Sequence, residues 1–326
     1  MKRFKNILCV IEPGKDSTAV VEQAARLSEN NQARLTIMSV LPALANHNGL
    51  LEDYAMVNEL EALSLKTQQQ TVEKLIESYR QRVKIDVEVS TGRTSIEVIR
   101  KILRDDHDLV IKCPDATNGS SHAFSGEDKQ LLRKCPCPVW MTRLQKGETY
   151  HRILAAVDVD DNHAPEVLKT RQALNESVMT LAGSLAVSEF AELSIVSAWE
   201  ATAESAIRFA PFIQRPQSEV DTYVEKARQH HADLLNAQLE QLNTELGQEA
   251  MNYIKPELHS PKGPARKNIP ELAKELQADC IVMGTVGRVG IPGLIIGNTA
   301  ESLLEQLTCS ILAIKPKGFA TPVTLE

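Results

Sequence analysis

The strongest constraint on this chain is that it is written twice. Lys5-Asn-Ile-Leu-Cys-Val-Ile-Glu12 returns as His151-Arg-Ile-Leu-Ala-Ala-Val-Asp158, in each case an apolar run ending in a carboxylate. Ala33-Arg-Leu-Thr-Ile-Met-Ser39 matches Ala191-Glu-Leu-Ser-Ile-Val-Ser197, and Asp108-Leu-Val-Ile-Lys112 matches Asp279-Cys-Ile-Val-Met283. Leu131-Leu-Arg-Lys-Cys-Pro-Cys-Pro-Val-Trp-Met141 matches Leu303-Leu-Glu-Gln-Leu-Thr-Cys-Ser-Ile-Leu-Ala313. The matches keep their order, with offsets between 146 and 172 residues that insertions account for. Such self-similarity implies a duplicated domain. A length of 326 residues suits two domains, divided near the polar Gln145-Lys-Gly-Glu-Thr149. The expected units are residues 1–146 and 150–318.

Each half alternates short apolar runs with helical spacing. The first half predicts strands at Asn6–Glu12, Arg34–Val40, Lys84–Ser90, Leu109–Lys112 and Val139–Arg143. The second predicts them at Ile153–Asp158, Glu192–Trp199, Asn252–His259, Cys280–Gly284 and Ile311–Lys315. Helices are expected between them, including Ser17–Asn30, Ile96–Arg104 and a long polar one over Ser218–Leu246 that stops at Gly247. Apolar strands separated by helices imply a parallel sheet covered on both faces, with right-handed crossovers. The expected class is therefore α/β: two tandem doubly wound domains, each a five-stranded parallel sheet of order 3-2-1-4-5. The last strands, Val139–Arg143 and Ile311–Lys315, would be apolar sheet edges, and pairing them with each other would make an internal pseudo-dimer.

One segment carries chemistry. Asp279-Cys-Ile-Val-Met283 runs into Gly284-Thr-Val-Gly287, and after nine residues comes Gly297-Asn298-Thr299 at the start of a helical stretch. Glycines let backbone approach a ligand closely, and a helix N-terminus offers unpaired N–H groups and a positive dipole end. Together they suit an anion, most often phosphate. A plain turn and a good N-cap sequence would use the same residues. In a doubly wound sheet Asp158 and Gly284 end neighbouring strands and flank the switch-point crevice where ligands sit.

Composition narrows the partners. The net charge of −7, with no Lys/Arg run, argues against nucleic acid, and aromatics at 4% give no base-stacking platform. No run approaches the ~18 apolar residues that cross a bilayer, so no membrane role is expected. The N-terminal Met-Lys-Arg-Phe-Lys-Asn-Ile-Leu-Cys-Val-Ile is too briefly apolar for a signal peptide before Glu12-Pro13 and reads as a strand. Six cysteines, mostly in or beside apolar runs, suit reduced thiols in a cytoplasmic protein.

The spacing Gly284-x2-Gly287-x9-Gly297-Asn298 resembles the Gly-x2-Gly-x9-Gly-Ser/Thr motif of the ATP-binding universal stress proteins, and the resemblance extends over both halves as tandem domains. It implies ATP as the ligand, with or without Mg2+. Backbone at Gly284 and Gly287 would follow the ribose and α-phosphate, and N–H groups of Gly297, Asn298 and Thr299 would hold the outer phosphates. Asp158 would face the adenine, and backbone near Ala198 would meet its edge. Asn298 stands where binders commonly have serine, which alters contacts without removing the site. The first half departs further: Lys112-Cys-Pro-Asp-Ala-Thr-Asn-Gly119 lacks the glycine spacing, and Glu127 and Asp128 would repel phosphate. No ATP is expected there. Single-domain members of this family pair through the last strand. A tandem chain satisfies that edge internally, and a homodimer of tandem chains remains open.

Other clusters are ambiguous. Arg288 would reach a phosphate or stay solvated. Cys135-Pro-Cys137 reads as core thiols, and His230-His231 with Asp233 as a solvated helix face. His259, Asp160, Asp161 and His163 would either converge on a divalent ion or simply line a pocket, which leaves any metal site undetermined. No Walker, kinase, nucleophile-elbow or zincin motif is present, and no residue is identifiable as a base for an attacking water. The expected function is a nucleotide-binding stress-response protein acting as sensor or signalling module rather than an enzyme. A slow ATPase, or a scaffold for another ligand such as a nucleotide sugar, remains the alternative.

Overall fold

The computed structural model describes residues 4–44, 54–115, 124–209, 216–285 and 297–325. The first half contains β1 (Asn6–Ile11), α1 (Thr18–Asn31), β2 (Arg34–Leu41), α2 (Tyr54–Ile76) and β3 (Ile85–Thr91). It continues with α3 (Thr94–Asp105), β4 (Leu109–Lys112), α4 (Gly126–Lys134) and β5 (Val139–Met141). The second half contains β6 (Arg152–Ala156), α5 (Pro165–Glu189), β7 (Glu192–Val196), α6 (Glu204–Phe209) and α7 (Gln217–Leu246). Then come α8 (Gln248–Ile254), β8 (Glu257–His259), α9 (Ala265–Glu275), β9 (Cys280–Gly284), α10 (Asn298–Gln306) and β10 (Ser310–Ile314).

The strands form because they are covered on both faces. Every residue of β1, β4 and β10 is buried, which continuous apolar runs tolerate and alternating ones do not. Two apolar clusters line the two sheet faces. One gathers α1, α5 and the Ile7, Leu312 and Ile314 side of the strands; the other gathers α4, α10 and the Leu8, Ile311 and Ala313 side. Helix α5 shows why: it starts at Pro165, which fits a first helical position, and buries Leu174, Val178, Leu181 and Leu185 along one stripe.

One expected strand is shorter than its sequence suggested. Residues 248–254 are helical, and the strand keeps only Glu257–His259. Met251 and Ile254 are buried three residues apart, which a helix turn aligns on one side. Lys255 then closes the turn in the left-handed region with φ 39°, its N–H donating to Met251, and Pro256 follows.

The strand order is β3-β2-β1-β4-β5-β10-β9-β6-β7-β8 in one ten-stranded sheet. Each half thus has the expected 3-2-1-4-5 order. All pairings are parallel except β5 with β10, where Met141 faces Ile311, Trp140 faces Leu312 and Val139 faces Ala313. The two last strands therefore complete each other, as their apolar edges required. Trp140 stacks on Tyr150 across this seam at 5.4 Å, and the fully buried Tyr150 hydroxyl accepts from Gln23 and shares a hydrogen bond with Thr142, both at 3.1 Å. Arg26 pairs with Glu189 on one face at 3.0 Å; Arg133 with Glu301 and Lys129 with Glu305 join the halves on the other.

Candidate functional site

Neighbouring strands β6 and β9 send the chain to opposite faces, β6 to α5 and β9 to α10. A crevice therefore opens beyond their carboxyl ends. Asp158 lies at its rim. The Asn175 side chain of α5 clamps it: Asn175 Oδ1 accepts the Asp158 N–H at 3.1 Å, and Asn175 Nδ2 donates to the Asp158 carbonyl at 2.7 Å. The Asp158 carboxylate is exposed and pairs with Arg171, one turn earlier on α5.

On the other rim, β7 runs out into Ser197-Ala198-Trp199. Ser197 N–H donates to His259 O and Trp199 N–H to Pro261 O, both at 3.1 Å, so alternate residues bond toward β8. Val196 O accepts from Val157 N–H on the opposite side at 3.0 Å. Ala198 shares the parity of Val196. Among the described residues its N–H and C=O have no hydrogen-bond partner, and they face the crevice. This edge is braced by His231 of α7, whose Nε2 and Nδ1 lie 3.0 Å from the hydroxyls of Ser197 and Ser260. Burial pushes its pKa down. Sequence reasoning read His231 as solvated; the available signal was its register with Leu235 and Leu242, buried on the same helix.

The third wall is the start of α10. Buried Thr285 donates its N–H and its hydroxyl to Ile314 O at 3.0 and 3.2 Å, and Thr285 O accepts the Gly297 N–H at 3.0 Å. Gly297 caps α10 with φ −60° and ψ 142°, and among the described residues no side chain closes the helix. Gly297 O accepts from Glu301, while the N–H groups of Asn298, Thr299 and Ala300 have no partner among the described residues. Gly284 has a packing reason of its own: a Cβ there would lie 2.5 Å from Leu174 Cδ2, so the bare backbone admits α5. Gly287 and Arg288 lie outside the described residues.

The first half closes the equivalent place with its own side chains. By the repeat, Ser125 stands for Gly297, Asp128 for Ala300 and Lys112 for Met283. Ser125 Oγ accepts the Asp128 N–H at 3.0 Å, and Asp128 Oδ2 accepts the N–H groups of Ser125 at 3.1 Å and Asp115 at 2.9 Å. The buried Lys112 ammonium donates to Asp128 Oδ1 at 2.9 Å, Cys113 O at 3.0 Å, Glu12 at 3.2 Å and Asp115. Burial opposes its charge, yet Asp128 and Asp115 outweigh burial and hold its pKa above the ordinary value. Burial likewise works against the Asp115 carboxylate; its bond to Glu12 and the field of Lys112 prevail and hold it down to about 2. Glu127 is turned away to α3, accepting from the Ser95 N–H at 2.8 Å and Ser95 hydroxyl at 2.6 Å.

The suspected metal set does not converge. Asp160 pairs with His163 at 3.4 Å, Asp161 with His230 at 2.8 Å, and His259 lies 3.3 Å from Ser194 Oγ. Among the described residues no group of three or more His, Cys, Asp or Glu is placed to hold a metal ion. Cys135 and Cys137 are buried with sulfurs 3.6 Å apart; the Cys135 contact and burial push the Cys137 thiol well up. No described helix is long and apolar enough to cross a membrane.

Comparison with known proteins gives a consistent picture. The sequence model of the universal stress protein family matches residues 3–143 and again 149–315. The chain is similar to universal stress protein E of Salmonella typhi, 28% identical over 337 residues covering 100% of this chain and 99% of the relative. The universal stress protein E homolog of Haemophilus influenzae is 29% identical, covering 96% and 98%. Among solved structures, a putative universal stress protein from Pseudomonas aeruginosa superposes with a TM-score of 0.68 at 24% identity, covering 97% of this chain and 95% of that one. A universal stress protein from Archaeoglobus fulgidus gives 0.59 at 15% identity, covering 94% and 98%.

Proposed function

The chain belongs to the universal stress protein family, and from that premise we propose that it binds one nucleotide, ATP or a close relative, in its second half, as a sensor or signalling module in the stress response. One observation carries this reading. The two halves repeat one frame, yet α4 is closed by Ser125, Asp128 and Lys112, while α10 begins at Gly297 with its first N–H groups unpartnered among the described residues. An open helix start beside a switch-point crevice attracts anions. The unpaired Ala198 backbone groups on the opposite rim would suit the edge of a base, and Asp158 is held at the mouth between them. Mg2+ would enter with the phosphates; no described trio of ligands would hold it alone.

Binding rather than turnover is the role the residues support. No described carboxylate or histidine stands free beside the start of α10 as a base for water: Asp158 is paired with Arg171, and His231 is held by two serines. Slow hydrolysis is compatible with this arrangement; rapid turnover is not. Calorimetric titration with ATP tests the proposal, with one site per chain expected. Gly287→Val, in the glycine loop, should abolish that binding without shifting the thermal melt. A stoichiometry of two, no ATP binding by the parent, or a variant that binds like the parent would each overturn it. Mass spectrometry of small molecules released from gently purified protein distinguishes ATP from a nucleotide sugar.

A further inference from the structure

Lys315 is a buried cation at the sheet seam of the second half. It follows β10 directly, is 8% exposed, and its amine has no hydrogen-bond partner. Among the described residues its amine lies over the Phe319 ring, whose centroid is 4.9 Å away. A buried ammonium without an anion is costly, so its missing partner calls for explanation.

The location supplies one. Side chains alternate along a strand, so Lys315 shares a face with Ile311 and Ala313. Those two pack in the cluster that holds Ala300, Leu303, Leu304 and Leu307 of α10. The level along the strand is fixed as well. Ile314 O, the carbonyl just before Lys315, receives Thr285, and Thr285 O receives the Gly297 N–H. Two successive hydrogen bonds thus tie the end of β10 to the residue that caps α10. Lys315 therefore leaves β10 on the face that carries α10, at the level of the helix start, and among the described residues Phe319 and Cys135 face its amine.

The repeat shows what is absent. Arg143 occupies the corresponding position after β5, with its guanidinium 5.2 Å from the Phe124 ring, much as Lys315 sits over Phe319. Arg143 lies in the fields of Cys113 and Cys309 and, more weakly, of the Asp128 carboxylate on the first turn of α4. In the second half the residue equivalent to Asp128 is Ala300. The cation has been kept and the anion on the helix has not.

We propose that Lys315 is a phosphate-contacting residue, its ammonium and the open N–H groups at the start of α10 together gripping the outer phosphates of a nucleoside polyphosphate. The inference rests on the nucleotide reading above and sharpens it: the ligand must carry a polyphosphate, since a nucleoside leaves Lys315 as unpaired as before. Lys315 then sets the preference for charged over uncharged adenine compounds.

The experiment is calorimetric titration of the full chain with ATP and with adenosine, for the parent, Lys315→Met and Lys315→Arg. Met matches the length without the charge, and Arg is the residue the first half accommodates at this place. The parent should bind ATP more tightly than adenosine. Lys315→Met should lose roughly tenfold or more in ATP affinity, the scale of a charge-assisted hydrogen bond, with adenosine binding unchanged; Lys315→Arg should retain most of the preference. Ala300→Asp provides a second arm, because an aspartate on the first turn would satisfy Lys315 internally and lower ATP affinity similarly. If Lys315→Met binds ATP like the parent, the role of Lys315 is refuted and the nucleotide site stands. If the parent prefers adenosine, or binds neither compound, both fall.

Discussion

Lys112→Met in the first half probes the reason that half is closed. The substitution keeps side-chain length and removes an ammonium bonded to Asp128, Glu12, Asp115 and Cys113 O. At 2.9 Å and an effective dielectric of 20, the Lys112–Asp128 attraction alone is roughly 6 kcal/mol before desolvation. Burying both groups offsets much of that, so the pair itself adds little net stability. Breaking it differs, because Asp128 is fully buried and would be left without its cation. Loss of one partner of a buried pair costs about 3–5 kcal/mol, a large part of the roughly 5–15 kcal/mol that holds a protein folded. Lys112→Met should therefore lower the urea midpoint sharply at pH 7, at unchanged slope. Adding Asp128→Ala, which recreates Met283 and Ala300 of the second half, should recover part of the loss, so the double variant is far from additive. The acid limb gives a second readout. Asp115 is held down to about 2, so its contribution is full above about pH 4 and is lost as pH falls toward 2. Without Lys112 that acid-side slope should flatten. A cost below about 1 kcal/mol, set against the 3–5 kcal/mol expected, or additive single variants, would refute the view that this network fills the crevice.

Two further predictions concern the second half. Gly284→Ala should destabilise by about 1–3 kcal/mol through overpacking against Leu174, and Leu174→Ala in the same background should relieve the strain; a parental melt for Gly284→Ala would mean the α5 approach does not need this glycine. Burial pushes the Lys315 pKa down to about 8, so the unfolded chain holds its proton more firmly and stability from this group rises between pH 8 and 10.5. Lys315→Met should thus stabilise the ligand-free protein by roughly 3 kcal/mol at pH 7, with the gain fading to nothing above pH 10.5; the groups facing the amine are Phe319 and Cys135, and a gain independent of pH would show that packing, not charge, is responsible.

The frame was legible because parallel strands buried on both faces leave continuous apolar runs, and because the repeat supplies a second copy of each. Leu109–Lys112 and Cys280–Gly284 were readable to the residue. Residues 252–254 were not, since Met251 and Ile254 suit a helix or a strand until Lys255 takes its left-handed turn. In the site, Asp128 was legible as hostile to phosphate, but its bond to Lys112, sixteen residues away, needs the fold to bring a strand end under a helix start. His231 escaped for the same reason: its two serine partners come from different strand ends. Gly284 was legible as a position without a side chain, whereas Leu174 as its neighbour belongs to tertiary packing.

The β5–β10 seam has a consequence for composition. Two separate domains paired through such edges would associate by mass action, separate on dilution, and mix like with like. Here both edges belong to one chain, whose two halves are linked through residues 142–151, so each edge meets its partner at a fixed and high effective concentration. Every folded molecule therefore carries one copy of the frame filled by Lys112 and Asp128 and one whose helix start at Gly297 has no such side chains among the described residues, in a ratio that neither expression level nor dilution can alter.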